Sequence, residues 1–163
     1  MEDYSMTRSR FIANRLREVL LNGHWVANTN YKEQLQSVDW VQATQKIGKL
    51  NTIAALTYHV NYYLAGILNV FNGGDLEIRD KYSFEMPPIT SETDWKKLSN
   101  EFLMNAEKLI HHIEKLEDQK WDTVFVAKKY GTFLRNMEGV IEHSYYHLGQ
   151  ISLLRKLNLE RTT

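Results

Sequence analysis

The chain contains no cysteine, which removes disulfides, thiolate metal ligands and any protein-borne thiol nucleophile from consideration. Any sulfur chemistry must therefore use a thiol supplied from outside, and any metal must be held by nitrogen or oxygen, which favours zinc, nickel or another borderline divalent ion on imidazole. Proline is almost as scarce. The only two stand together at Pro87 and Pro88, so long segments on both sides carry no helix breaker of that kind. No excess of charge of either sign exists, because 20 basic residues balance 20 acidic ones. With the basic residues scattered, the electrostatic footprint of a nucleic-acid binder is missing, and no nucleic-acid partner is expected. No apolar run approaches the roughly 18 residues of a membrane span, and Met1 to Arg10 lacks the hydrophobic stretch of a secretion signal. These absences point to a cytoplasmic protein without a membrane partner.

What the chain does have is apolar residues recurring at three and four, in a sequence of 163 residues with 43% hydrophobic and 12% aromatic content. That length fits one domain, residues 1–163, with enough apolar surface for a core that needs no covalent staples. The fold class is all-α. A first helix is expected from about Ser5 to Asn22, with Phe11, Ile12, Leu16, Val19 and Leu20 inward and Gly23 as its stop. Residues 24–50 read as a loop region with one or two short helical turns, covering one end of the domain. A second helix starts near Asn51 or Thr52 and ends at Asn72-Gly73-Gly74, burying Ile53, Leu56, Val60, Leu64, Ile67 and Phe71.

A long connection over residues 73–90 follows, and Thr90-Ser91-Glu92-Thr93-Asp94 supplies an N-terminal cap with acids in the first turn. The third helix then runs to about Leu116 with Trp95, Leu98, Phe102, Leu109, Ile113 and Leu116 inward. After a loop through Trp121, Phe125 and Tyr130, a fourth helix begins at Gly131-Thr132 and continues to about Leu157. Its core positions are Phe133, Met137, Val140, Ile141, Ser144, Leu148, Ile151 and Leu154. Four helices of roughly 27–39 Å at 1.5 Å per residue suit a four-helix bundle with long connections, whose order need not be simple up-down-up-down.

The chemistry concentrates in the last helix, in Glu142-His143-Ser144-Tyr145-Tyr146-His147-Leu148-Gly149-Gln150. Residues four apart stack on one face with Cβ atoms roughly 5–6 Å apart, so His143 and His147 can converge on one ion. A third ligand must come from elsewhere, and His59, beside the apolar stripe of the second helix, is the best candidate among the other histidines. An HxxxH pair by itself is a weak signal that two half-buried structural histidines would also satisfy.

Further features sharpen it: Gly23-His24-Trp25 after the first helix, His59 in the second, the Phe84–Trp95 stretch with its double proline, Tyr130-Gly131-Thr132, and the HxxxH-x-Gly-Gln ending. Over nearly the whole chain this pattern resembles the DinB-like (YfiT-like) metalloenzyme superfamily. The resemblance implies a four-helix bundle holding a divalent metal on three histidines, here His59, His143 and His147. It also implies transferase or isomerase chemistry using a low-molecular-weight thiol such as bacillithiol, mycothiol or glutathione, and a homodimer.

Three neutral imidazoles leave positions for water or a substrate, as catalytic metal sites require. The function expected is a divalent-metal-dependent enzyme, either a thiol-dependent transferase acting on small electrophiles or a hydrolase using activated water. The alternative is a non-catalytic metal-binding stress or scaffold protein. Gln150, on the ligand face, could orient a bound water or contact the small-molecule substrate, or be an ordinary polar position near a helix end. Tyr63, four after His59, could donate its hydroxyl to a metal-bound ligand or be a core aromatic with its oxygen at the rim. Gly139, four before His143, opens space over the ion or permits a close helix contact. Glu142 points roughly 100° away from its neighbouring ligand and is a poor general base. His111 and His112 read as surface or boundary positions, and His24 as an exposed loop histidine near the mouth.

Overall fold

With proline confined to one connection, the apolar-periodic segments can run as uninterrupted helices, and in the computed structural model of this protein they do so. The structure describes residues 7–160. The helices are α1 (Arg8–Arg17), α2 (Tyr31–Gln36), α3 (Trp40–Thr44), α4 (Ile53–Phe71), α5 (Glu92–Glu114) and α6 (Phe133–Glu160). Among the described residues there is no strand, and an isolated antiparallel bridge joins Val124 to Thr132. The fold is all-α.

Side-chain caps set where most of these helices begin. Thr7, Asn30, Asp39, Thr52 and Ser91 each accept a hydrogen bond from a backbone N–H in the first turn, and Asp39 forms a reciprocal capping box with Gln42. The expected helix start at Ser5 lies outside the described residues. At its other end α1 widens into a π-helical turn, Glu18–Asn22, whose last bond runs from the Gly23 amide to the Glu18 carbonyl at 3.0 Å. A Cβ on Gly23 would sit 2.5 Å from the Glu18 Cα, so only glycine allows this close.

α4 packs against α5 and α6, and α1 packs against the same two helices. The four long helices therefore close a ring in the order α1, α5, α4, α6, an arrangement compatible with a four-helix bundle. Chain neighbours α1 and α4 lie diagonally, as do α5 and α6, so simple up-down-up-down order does not apply. The long connections make both crossings possible.

Trp95, Trp121, Tyr31 and Phe102 are the bulkiest fully buried side chains, packed with Leu16, Leu64, Leu109 and Met137. Burying a large apolar side chain contributes about 1.5–3 kcal/mol, so each of these adds materially to the hydrophobic stabilisation. Three of the sequence expectations need correction. Phe11 is 51% exposed, because Ile12 takes the inward position and the preceding residue is rotated by a hundred degrees, where Arg15 lies over its ring. The 24–50 segment does more than cover an end, since Tyr31 is fully buried, stacks on Phe102 at 4.8 Å and donates its hydroxyl to the Ser144 carbonyl at 2.9 Å. Phe71 and Leu116, expected inward, are half-buried helix-end positions.

Candidate metal centre

The Ile53–Phe71 helix reads as an apolar stripe that must face the core, and His59 lies on the edge of it that meets α6. His143 and His147 come from α6, one turn apart and aimed at the same point. The three imidazoles pack closely, edge to face where His147 is involved and tilted between His59 and His143: ring centroids are 5.0 Å apart for His59 and His143, 4.7 Å for His59 and His147, and 4.5 Å for His143 and His147. Nε2 of His59 is 3.1 Å from Nε2 of His143, and one ligand atom from each of the three residues lies within 4.8 Å of the others. His59 and His147 are buried and His143 is half-buried. The cluster can hold a metal ion.

Its electrostatics fit that use. Burial, then the neighbouring His147 and His59, pushes His143 down to about 4. Burial and His147 lower His59 against smaller upward pulls from the Ser83 main chain and Asp80, and burial lowers His147 against the hydrogen bond to Gln150. At neutral pH all three rings are uncharged, which is the protonation state that donates a lone pair to a cation. Among the described residues this cluster has no carboxylate, so a divalent ion would meet three neutral nitrogens and keep open positions.

The surrounding residues hold the rings in place. His147 Nδ1 lies 2.7 Å from Gln150 Oε1, an acceptor, so this nitrogen carries the proton and Nε2 is left as the donor atom. Gln150 thus orients an imidazole, and it lines a separate hollow with Leu56 and Leu153, away from the cavity beside His143. Tyr63 packs its ring against His59 and His143, at 5.1 and 5.0 Å, while its hydroxyl donates to Asp80 Oδ1 at 2.8 Å. Of the two uses weighed for Tyr63, its hydroxyl is committed to Asp80. Phe84 stacks on the His59 ring, 4.1 Å between centroids and 12° from parallel. His59 Nδ1 is buried beneath this cover without a hydrogen-bond partner.

A cavity of about 490 Å³ opens beside His143 and Tyr63, with Val60, Ile67 and Val140 in its wall. Gly139 also lines it, and a Cβ there would meet nothing within 4 Å, so this glycine faces space instead of a helix. Glu142 is exposed and pairs with Arg135 at 3.2 Å. His24 is exposed beside Glu33 at 3.7 Å and does not line the cavity. His112 meets the Asn72 side chain at 3.0 Å, and His111 is exposed, so neither approaches the cluster.

Periodicity does not reveal Asp80, Ser83 and Phe84, which come from the connection. The cause of their placement lies in α4: a Cβ on Gly66 would fall 2.3 Å from Ile78 Cγ1, and Tyr62 Oη both donates to the Arg79 carbonyl and accepts from the Arg79 amide. Those contacts lay the connection along α4 and carry Phe84 onto His59. A glycine inside an apolar helical run is the one sequence signal of that close approach.

A helical protein whose long helices bring three neutral imidazoles together is the class defined by fold and site. The chain belongs to the DinB superfamily, whose sequence model matches residues 27–151, from the segment before α2 through His147 and Gln150. No curated protein and no solved structure is matched significantly by the chain. No helix among the described residues is long and apolar enough to cross a membrane.

Proposed function

We propose that the protein is a divalent-metal-dependent enzyme, with zinc or nickel on His59, His143 and His147, that transfers a low-molecular-weight thiol to a small electrophile. One observation carries this reading: the three neutral imidazoles converge beside a cavity large enough for a small molecule, with no fourth protein ligand among the described residues. Once bound, a divalent ion there supplies Lewis acidity that brings the pKa of a thiol or water toward neutrality.

The chain's residues do the rest. Gln150 fixes the tautomer and orientation of His147, while Phe84 stacks on one face of His59 and Tyr63 packs against the same ring edge to face. With their pKa values lowered, the imidazoles do not serve as acids at neutral pH. Glu142, the nearest acid in sequence to a ligand, is turned outward to Arg135 and is not placed as a general base. None of these side chains is placed to deprotonate a nucleophile, a role that a bound ion would supply. The absence of cysteine means that a reacting sulfur arrives with a cofactor. Activated water acting on an ester or amide is the second form of the same reading.

The test is turnover of 1-chloro-2,4-dinitrobenzene by zinc- or nickel-loaded protein with a panel of thiols, alongside His147→Ala. Turnover needing both ion and thiol, and lost in the variant, supports the transferase. Hydrolysis of p-nitrophenyl acetate without thiol selects the hydrolase, whereas tightly held metal with neither activity returns the protein to a scaffold role.

A further inference from the structure

The cavity beside His143 has an uneven charge. Its lining includes two cationic side chains, Lys129 and Arg135, and no acidic one, in a protein whose basic and acidic residues balance overall. The rest of the wall is largely apolar or aromatic, with Val60, Ile67 and Tyr130 among it, and Asn136, His143 and Ser144 add polar groups. Two cations and no acid in a largely apolar lining describe a ligand with a hydrocarbon or otherwise uncharged body and an anionic group.

Both cations sit on a stiff support. Lys129 belongs to the one-turn helix Lys128–Tyr130, which is closed by Tyr130 N to Ala127 O at 2.9 Å and Gly131 N to Lys128 O at 3.2 Å. Gly131 adopts φ 77°, a conformation that favours glycine, and its carbonyl accepts from the Phe125 amide at 2.9 Å. Asn136, in the first turn of α6, donates from its side chain to the Tyr130 and Thr132 carbonyls at 2.8 and 2.7 Å. The turn carrying Lys129 is thus tied to the helix carrying Arg135 and His143. Lys129 Nζ lies 4.8 Å from the Tyr130 ring centroid, a weak and exposed contact that an anion can outcompete. Arg135 meets Glu142 through one Nη1–Oε2 contact between exposed side chains, which leaves most of its donor fork for a ligand.

We propose that this cavity recognises a carboxylate on the small molecule it takes, with Lys129 and Arg135 receiving the carboxylate and the remainder of the molecule reaching toward His143. The inference deepens the proposed function by naming the substrate's anionic handle, and it rests on that reading for the direction in which the ligand lies. The carboxylate could belong to the thiol or to the electrophile, and the two are separable by experiment.

The experiment is calorimetric titration of the full-length protein, zinc-loaded and metal-free, with two matched pairs: glutathione against its diethyl ester, and cinnamate against methyl cinnamate. The expected result is at least a tenfold preference for the acid in one pair, weakening as salt is raised. Preference in the glutathione pair assigns the carboxylate to the thiol, and preference in the cinnamate pair assigns it to the electrophile. Lys129→Gln and Arg135→Gln should each reduce the preference several-fold and the double variant should abolish it, with Glu142→Gln as a control that keeps it. Equal binding of acid and ester in both pairs, no binding of either acid, or an acid preference surviving in the double variant would overturn the proposal. A preference that persists in metal-free protein supports the carboxylate site even if no ion is found at the histidines, so the two readings fail separately.

Discussion

The two sides of the histidine cluster are built by opposite means. On one side α6 presents His143 and His147 from a single regular helix, so their proximity is a consequence of 3.6 residues per turn. On the other side His59 is positioned by its helix but enclosed by the connection after it, through contacts seventeen residues and more away in sequence, such as Tyr63 to Asp80. Local geometry places the imidazoles, and long-range return of the chain decides what surrounds them.

The largest expected effect tests the cluster as a whole. All three imidazoles titrate below their ordinary value, so the unfolded chain binds protons more readily than the folded one. Above about pH 6.5 the lowered values carry no pH-dependent penalty, and stability is lost as pH falls from there toward the folded value of about 4 for His143. Denaturant melts of metal-free protein between pH 8 and 5 should show this decline, and His143→Gln should flatten it. Equal slopes for the two proteins would mean that carboxylates elsewhere carry the acid sensitivity.

Gln150→Leu addresses the α6 side alone. It removes the acceptor of His147 Nδ1, and loss of such a partner typically weakens metal affinity about 10–100-fold. A competition titration with a chromophoric chelator measures it, and an unchanged affinity would place Gln150 outside the site's support.

Gly66→Ala addresses the other side. The added methyl collides with Ile78, an overpacking cost of about 1–3 kcal/mol set against a helix gain of roughly 1 kcal/mol. Net destabilisation, with loss of the ring-current shifts that Phe84 imposes on His59, is the expected outcome. The double variant with Ile78→Ala should recover the shifts, and a single variant as stable and as shifted as the parent would remove Gly66 from the account. Gly149→Ala is the matching control on α6, where a Cβ meets nothing within 4 Å. It should stabilise the protein by up to about 1 kcal/mol in the same melts.

The same division explains what could be read from the amino acids alone. The four long helices, their caps at Thr52 and Ser91 and their inward stripes follow from periodicity and capping chemistry, which are local. His59 stood out as the third candidate from its place beside an apolar stripe, and the DinB-like pattern strengthened its grouping with the α6 pair, because spacing alone cannot say which helices are neighbours. Tyr31 was hidden in a segment without a long apolar repeat, and its burial depends on Phe102 and Ser144 far along the chain. Phe84 and Asp80 were illegible for the same reason, and Phe11 misled because an apolar residue beside an inward one looks inward itself.

The central claim is that His59, His143 and His147 together hold one divalent ion. Elemental analysis of tag-free protein loaded with zinc or nickel, beside His59→Ala, His143→Ala and His147→Ala, tests it most directly. Close to one ion per chain in the parent and a large loss in every variant are expected, with helix content by circular dichroism near normal. Full metal stoichiometry in any of the three variants, or none in the parent after loading, would contradict it.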